Sequence, residues 1–310
     1  MRTPRLGREL FVILITITAL FMRGGVARAQ QPDRPTFRST VAVVPITAVV
    51  RDSHSRPVRN LTREDFRVLE RGALRQIVQF SANDDGPVSV AFLFDTSGSM
   101  GLVSNFARGR EVIGHLLEGM RPARDEAALF TFHKTLREEV PFTSNLSRIQ
   151  AVLDEVRPWG LTSLYDAVAQ TAERLNERVQ GRRAIIVVSD GVDTSSALSP
   201  QQVARLASDI DVPVYVVAVV SPLDQPSRGT SAAAKKTGSG LSELAEQTGG
   251  DVYYVSVSDS VATTDRLLTT MRHQYFLAIE SAPVPGWYPL EVQTTRKGFT
   301  VRARRAYSSE

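Results

Sequence analysis

The apolar positions between about residues 88 and 272 follow two alternating patterns. Continuous apolar runs are typical of strands buried on both faces, and they occur at 88–94, 184–188 and 212–219. Between these runs, apolar residues recur at the three- and four-residue spacing of amphipathic helices. These predicted helices lie at 105–120, 146–156, 164–179, 241–248 and 260–273, and a further one begins at Ser199-Pro200. Strands that alternate with helices predict an α/β fold: a doubly wound, mostly parallel sheet with helices on both faces.

A second pattern flanks this region on both sides. Short β-branched and apolar runs are separated by Gly, Pro and Asp, as in small β units. They lie at 40–50, 67–70, 76–80, 274–281, 287–294 and 299–305. Because three strands bury little core alone, we expect the segments 37–82 and 276–310 to pack together as a small β-sandwich beside an α/β domain at 86–275. Pro45 lacks an amide hydrogen, which predicts that its strand lies at a sheet edge.

The first 29 residues have the three-part layout of a secretory signal. A basic stretch at 1–10 precedes the apolar run 11–22, and Ala27-Arg28-Ala29 has the small-x-small pattern of a cleavage site. The apolar run is shorter than the roughly 20 residues of a membrane-spanning helix. An uncleaved signal anchor is the alternative. We expect cleavage near Ala29-Gln30, which would leave a mature chain with no membrane span in the periplasm or outside the cell.

Composition excludes several kinds of chemistry. The 310 residues include no cysteine, which excludes disulfides, thiolate metal sites and a cysteine nucleophile. The formal charge of +4 arises within the first 29 residues, which hold five arginines and one glutamate. The rest of the chain is formally neutral. Nucleic acid is therefore not an expected partner.

Five polar side chains occupy the ends of these elements: Asp95, Ser97, Ser99, Thr162 and Asp190. The first three follow the first buried run, and their alternation along an extended segment points them to one side. Thr162 lies just before a predicted helix, and Asp190 follows the second buried run. Because the carboxyl ends of parallel strands share one edge of a sheet, we expect these oxygen atoms to converge there.

Two carboxylates and three hydroxyls are hard oxygen donors, the type that Mg²⁺ prefers in a six-coordinate shell. One position would remain for water or for a carboxylate of a partner, and an incompletely neutralised cation attracts such a group. No general base is evident beside these residues, so binding is favoured over catalysis. Taken singly, Asp95 and Ser97 are also typical of a helix cap, and Asp190-Gly191 of a plain turn.

In this order, the three segments resemble the metal-ion-dependent adhesion site of the von Willebrand factor A domain. The resemblance covers about 88–275 and implies the Rossmann-like fold of that family. It implies that Mg²⁺ or Mn²⁺ is bound directly by Ser97, Ser99 and Thr162, and directly or through water by Asp95 and Asp190. The whole chain also resembles exported bacterial proteins in which β segments flank such a domain.

The resemblance implies a non-enzymatic, exported module that binds protein in a metal-dependent way. It would present its ion to an Asp or Glu of an unidentified partner. Two alternatives stay open: a metal-assisted hydrolase, with His133 or Glu138 as its base, and a structural envelope protein whose ion only stabilises the fold. The Pro-, Gly- and Ser-rich stretch at 221–240 is either a surface loop or an adjustable rim of the site.

Overall fold

The structure is a computed structural model. It describes residues 42–82, 86–101, 105–178, 182–191, 193–219, 238–255 and 260–309. The predicted secretory signal at 1–29 and most of the stretch at 221–240 lie outside these ranges. Val41–Glu310 form one compact unit. None of the helices in the described ranges combines the length and the hydropathy that a membrane crossing requires.

The described residues form fourteen strands and six α-helices. The strands are β1 (Val43–Arg51), β2 (Phe66–Glu70), β3 (Ala73–Arg75), β4 (Ile77–Ser81), β5 (Val88–Asp95), β6 (Glu126–Phe132), β7 (Leu136–Thr143), β8 (Arg182–Ser189), β9 (Val214–Val219), β10 (Val252–Val255), β11 (Tyr275–Glu280), β12 (Gly286–Thr294), β13 (Thr300–Ala303) and β14 (Ala306–Ser309). The helices are α1 (Asn105–Gly119), α2 (Leu146–Glu155), α3 (Leu164–Asn176), α4 (Pro200–Asp209), α5 (Gly238–Gln247) and α6 (Ser260–Arg272). Every predicted helix is present, and Ser199 caps α4 by accepting a hydrogen bond from the Gln202 amide.

A six-stranded sheet lies at the centre of the α/β region, in the spatial order β10-β9-β8-β5-β6-β7. Its strands run parallel except β7, which pairs antiparallel with β6 at one edge. Helices connect the parallel strands, as such crossovers require. The predicted doubly wound, mostly parallel sheet is therefore confirmed.

Both faces of this sheet are buried, which explains the continuous apolar runs in the sequence. Side chains alternate along β5, so that Val90, Phe92 and Phe94 enter one core while Ala91 and Leu93 enter the other. Helices α1, α2 and α6 cover the first face, and α3, α4 and α5 cover the second. A strand in this position has no solvent-facing side, so every residue of β5 is buried.

The two flanking segments pair with each other in two four-stranded sheets. Their orders are β13-β1-β11-β4 and β14-β12-β2-β3, so each sheet mixes strands from both ends of the described chain. Side chains from both sheets share one apolar core, which includes Ile46, Val68, Leu277, Leu290 and Tyr307. This arrangement is a small β-sandwich. The domain boundaries expected from the sequence, 37–82, 86–275 and 276–310, stay a prediction.

The prediction that the strand of Pro45 lies at the edge of its sheet is wrong. Pro45 itself, however, lies in a part of that strand that pairs on one side only in the described ranges. β1 lies between β13 and β11 within its sheet. However, β13 pairs only with Ala48–Arg51, so within the described ranges no strand pairs with Pro45 on the side that faces away from β11. There, the carbonyl of Pro45 accepts a hydrogen bond from the Arg304 guanidinium. The missing amide hydrogen therefore breaks no ladder bond.

Candidate metal site

The candidate site lies where the connections of two neighbouring strands diverge. β5 pairs with β8 in parallel, with Phe94 opposite Val188. From β5 the chain continues through α1 to β6 on one side, whereas from β8 it continues through α4 to β9 on the other. The carboxyl ends of two such strands border a crevice, which is where ligands bind in open α/β sheets. Asp95 ends β5 and Asp190 directly follows β8, so both carboxylates belong to this crevice.

The segment after β5 turns tightly and places its hydroxyls together. Ser97 Oγ lies 3.0 Å from Ser99 Oγ. The Ser97 amide donates to Asp95 Oδ1 at 2.8 Å, which closes the turn. The Gly98 amide donates to the Gly160 carbonyl at 2.9 Å and so ties this turn to the segment that holds Thr162. Two of the three predicted segments are thus in contact through the main chain.

Asp95 is fully buried at the bottom of the crevice, where Ser189 holds it. Ser189 Oγ donates to Asp95 Oδ2 at 2.6 Å and accepts from the Gly191 amide at 2.9 Å. Burial, together with the nearby charge of Asp190, raises the pKa of Asp95 to about 6. The hydrogen bonds from Ser189 and Ser97 act in the opposite direction but do not offset the burial. An ionised Asp95 is therefore costly here unless positive charge is brought to it.

Asp190 has a buried carboxylate oxygen, Oδ1, with no hydrogen-bond partner in the described part of the chain. Leaving such an acceptor unsatisfied costs about 1–3 kcal/mol, and more when it is charged. An orphaned carboxylate oxygen beside two close hydroxyls and a second buried carboxylate fits a divalent cation with hard oxygen ligands. The residues present therefore fit the ion that the sequence predicts.

Thr162 is positioned by a polar loop whose role the sequence did not reveal. The Thr162 carbonyl accepts from the amides of Thr194 and Ser195, both at 2.9 Å, and its own amide donates to Thr194 Oγ1 at 3.1 Å. Asp193 Oδ1 accepts from the Leu164 amide at 2.8 Å, at the first residue of α3. Short polar residues are ordinary in turns, so only the tertiary contact identifies this loop as a support of the site.

The structure brings all five predicted residues to the carboxyl edge of the sheet. Asp95, Ser97 and Thr162 are buried there, while Ser99 and Asp190 are partly exposed. Their assignment as ligands stays a prediction. The bracing residue Ser189 was within a segment that the sequence highlighted, but nothing in the sequence distinguished its role.

The two candidate bases for a hydrolase are not poised for that role. Glu138 lies in a separate hollow beside α3, where its carboxylate is 4.0 Å from Arg174 Nε. His133 is closer, since its carbonyl accepts from the Ser163 amide. However, His133 Nδ1 accepts from the Lys134 amide at 2.6 Å, so the neutral ring carries its hydrogen on Nε2 and has no free basic nitrogen.

Comparison with known proteins matches the α/β region to a domain family. A family model for the von Willebrand factor type A domain matches residues 89–267. An uncharacterised protein of Borreliella burgdorferi is 26% identical over 153 residues, which are 47% of this chain and 44% of that protein. The match thus spans less than half the length of that curated relative.

Two solved structures share the fold. One is an aerotolerance-related membrane protein of Bacteroides fragilis with multiple mutations to serine (TM-score 0.50, 19% identity, 59% of this chain and 98% of that one). The other is proximal thread matrix protein 1 from the mussel byssus with a zinc-occupied MIDAS motif (TM-score 0.51, 16% identity, 65% of this chain and 49% of that one). At these identities the likeness shows the fold alone.

Proposed function

Because this chain belongs to the von Willebrand factor type A domain family, we propose that it is a divalent-metal-dependent protein-binding module. Its ion would be presented to an acidic side chain of a partner protein. The observation that carries the proposal is the orphaned Asp190 Oδ1, buried at the same crevice as the hydroxyl pair of Ser97 and Ser99. Buried charges in proteins are paired with an opposite charge or coordinate a metal, so a bound cation would satisfy this oxygen.

The residues that would hold the ion are the hydroxyls of Ser97, Ser99 and Thr162 and the carboxylates of Asp95 and Asp190. When bound, Mg²⁺ or Mn²⁺ would supply a positive charge with a coordination position left for an anionic oxygen. Asp95 and Ser189 would hold the bottom of the site, and Asp190 would stand at its exposed side. Hydroxyl ligands add no charge, so the ion would keep its attraction for a carboxylate of the partner.

The mussel protein with a zinc-occupied MIDAS motif supports a divalent ion in this fold. We propose Mg²⁺ or Mn²⁺ for this chain because all its candidate ligands are oxygens, whereas zinc sites usually include nitrogen or sulfur. No enzymatic role is proposed, since neither Glu138 nor His133 offers a base to the crevice.

Calorimetric titration with Mn²⁺ and Mg²⁺ tests this function. Asp190→Asn should weaken binding of either ion by about tenfold or more, because it removes charge from a carboxylate whose Oδ1 has no hydrogen-bond partner among the described residues. Asp265→Asn is the matched control, since Asp265 is exposed on α6, and it should bind as the wild type does. Equal binding heats for Asp190→Asn and the wild type would contradict the proposal.

We further propose that the protein acts outside the cytoplasm. The support is the basic stretch, apolar run and Ala27-Arg28-Ala29 pattern at the start of the sequence. Amino-terminal sequencing of the protein from the envelope and medium fractions should read from about Gln30. A chain that keeps residues 1–29 in those fractions would contradict cleavage and favour the signal anchor.

A further inference from the structure

Two large apolar side chains stand exposed beside the candidate metal site. Trp159 is 77% exposed and Leu161 is 58% exposed, on either side of Gly160. We call this pair the apolar rim. Single exposed apolar residues are common on protein surfaces. Trp159 is of a residue type that is enriched in interface hot spots, and it stands next to a candidate binding site.

The main chain fixes the apolar rim to the wall of the site. The Trp159 amide donates to the Thr96 carbonyl, and the Gly160 carbonyl accepts from the Gly98 amide at 2.9 Å. The imidazole of His133 contacts the Trp159 indole edge-on, with 6.1 Å between ring centroids. The indole is therefore supported on one side while most of its surface meets solvent. A side chain held in this way loses little conformational freedom when a partner binds.

Beside Trp159 lies a hollow with a volume of about 370 Å³, which we call the side hollow. Its apolar and neutral lining comes from β6, from α2 and from the segments that follow β5, β6 and α2: Thr96, Thr131, His133, Val152, Val156 and Trp159. Thr96 lies between Asp95 and Ser97 in the chain, and its carbonyl accepts from the Trp159 amide, so the side hollow lies beside the segment that carries these two candidate ligands.

The charged groups of the side hollow balance one another. Arg137 and Arg157 face Glu139 and Glu155 around its margin. Glu139 is paired with Arg137 Nε at 3.3 Å and accepts from Thr131 Oγ1 at 2.8 Å. The hollow is formally neutral, so it offers no net attraction to a second charged group. An uncharged, apolar side chain is the occupant that gains most from the exposed indole.

From these contacts we propose that the partner's acidic residue is accompanied by a neighbouring aromatic or large aliphatic residue. The acidic oxygen would reach the ion, while the apolar side chain packs on Trp159 and enters the side hollow. This inference rests on the proposed function and adds the chemistry of the partner: a turn that carries an acidic residue next to an apolar one. Leu161 extends the apolar surface on the side of Thr162.

Cyclic hairpin peptides test the inference directly. Three peptides differ only at the turn, which carries Asp-Phe, Asp-Ser or Asn-Phe, and their affinities are measured by fluorescence polarisation with Mg²⁺ or with a chelator. The full chain also carries Trp287→Phe, so that Trp159 becomes the sole tryptophan and its emission reports contact. Trp159→Ser is compared with Val284→Ser, because Val284 is 60% exposed on the β-sandwich.

We expect Asp-Phe to bind about tenfold more tightly than Asp-Ser in Mg²⁺, as burial of one aromatic side chain against a hot spot allows. Trp159 emission should shift to shorter wavelength with Asp-Phe. Trp159→Ser should remove the tenfold advantage of Asp-Phe over Asp-Ser while leaving Mg²⁺ binding unchanged. Val284→Ser should keep the wild-type peptide preference and the wild-type Mg²⁺ binding.

The outcomes separate this inference from the function on which it rests. Equal affinities of Asp-Phe and Asp-Ser that still require Mg²⁺ would overturn the apolar contact and leave the metal-dependent function standing. An undiminished advantage in Trp159→Ser, or no binding of Asp-Phe at millimolar concentration, would also overturn it. Equal binding of Asn-Phe and Asp-Phe, with no effect of the chelator, would instead contradict the proposed function.

Discussion

Arg304→Met is expected to lower the free energy of unfolding by about 3–5 kcal/mol, the usual cost of removing one partner from a buried charged network. Arg304 is 2% exposed. Its guanidinium donates to the carbonyls of Ser208 and Asp209 at the end of α4 and to the carbonyl of Pro45 on β1. Its Nε atom lies 3.6 Å from Asp211 Oδ1. Methionine fills similar space but leaves these acceptors without their donor.

Arg302→Met provides the matched control two residues away. Arg302 is 36% exposed and its ion pairs with Glu246 and Asp251 are long, at 3.8 and 3.5 Å. Exposed pairs of this kind contribute at most about 1 kcal/mol. Urea unfolding should therefore separate the two variants clearly, and the melting temperature of Arg304→Met should fall by about 10 °C. If both variants unfold alike, Arg304 does not join the β-sandwich to the α/β region.

Asp95→Asn is expected to stabilise the metal-free protein at pH 7.5. Burial raises the pKa of Asp95 from 3.8 to about 6, so its charge costs folding about 3 kcal/mol at neutral pH, at 1.36 kcal/mol for each pKa unit. The amide removes that charge but fits the Ser189 hydroxyl less well. We expect a net gain of about 1–2 kcal/mol, measured by thermal unfolding in a chelator.

The stabilisation by Asp95→Asn should depend on pH. Because the folded-state pKa is raised, the cost of ionised Asp95 is fully present above about pH 6 and disappears as the pH falls toward 3.8. The difference between Asp95→Asn and the wild type should shrink over that range. Saturating Mg²⁺ should reverse the order, because binding stabilises only the wild type, by about 2.7 kcal/mol at one hundred times the dissociation constant. A gain that is the same at pH 4.5 and pH 7.5 would contradict burial of the charge as its cause.

Much of the α/β fold could be predicted from the sequence because its signals are local. A run such as 88–94, which is apolar at every position except Ser89, is typical of a strand with both faces covered, and the fold covers both faces of β5. Helix α4 begins at Pro200 after a Ser cap, as local propensity dictates. Pro45 shows the limit of such reasoning. Its missing donor constrains one residue, whereas the place of β1 depends on strands more than 200 residues away along the chain.

The candidate site likewise has residues that local sequence signals pointed out and supporting contacts that they did not. Five candidate ligands, whose role stays a prediction, could be selected from the sequence because each lies near the end of an element with a local signal: Asp95, Ser97, Ser99, Thr162 and Asp190. The bracing contacts were not identifiable. Ser189 and Asp193 are common polar residues, and only the packing of β8 against β5, and of the 193–196 loop against α3, gives them their roles.

By itself, the sequence determined which elements form and which residue types stand at their ends, because hydrophobic periodicity and capping act over a few residues. The tertiary structure alone decided the order of the strands, the divergence of the chain at β5 and β8, the burial that raises the pKa of Asp95 and the exposure of Trp159. These properties depend on contacts between distant segments. The solvation and the electrostatic environment of each residue are set by those distant neighbours, and the local sequence does not identify which residues they are.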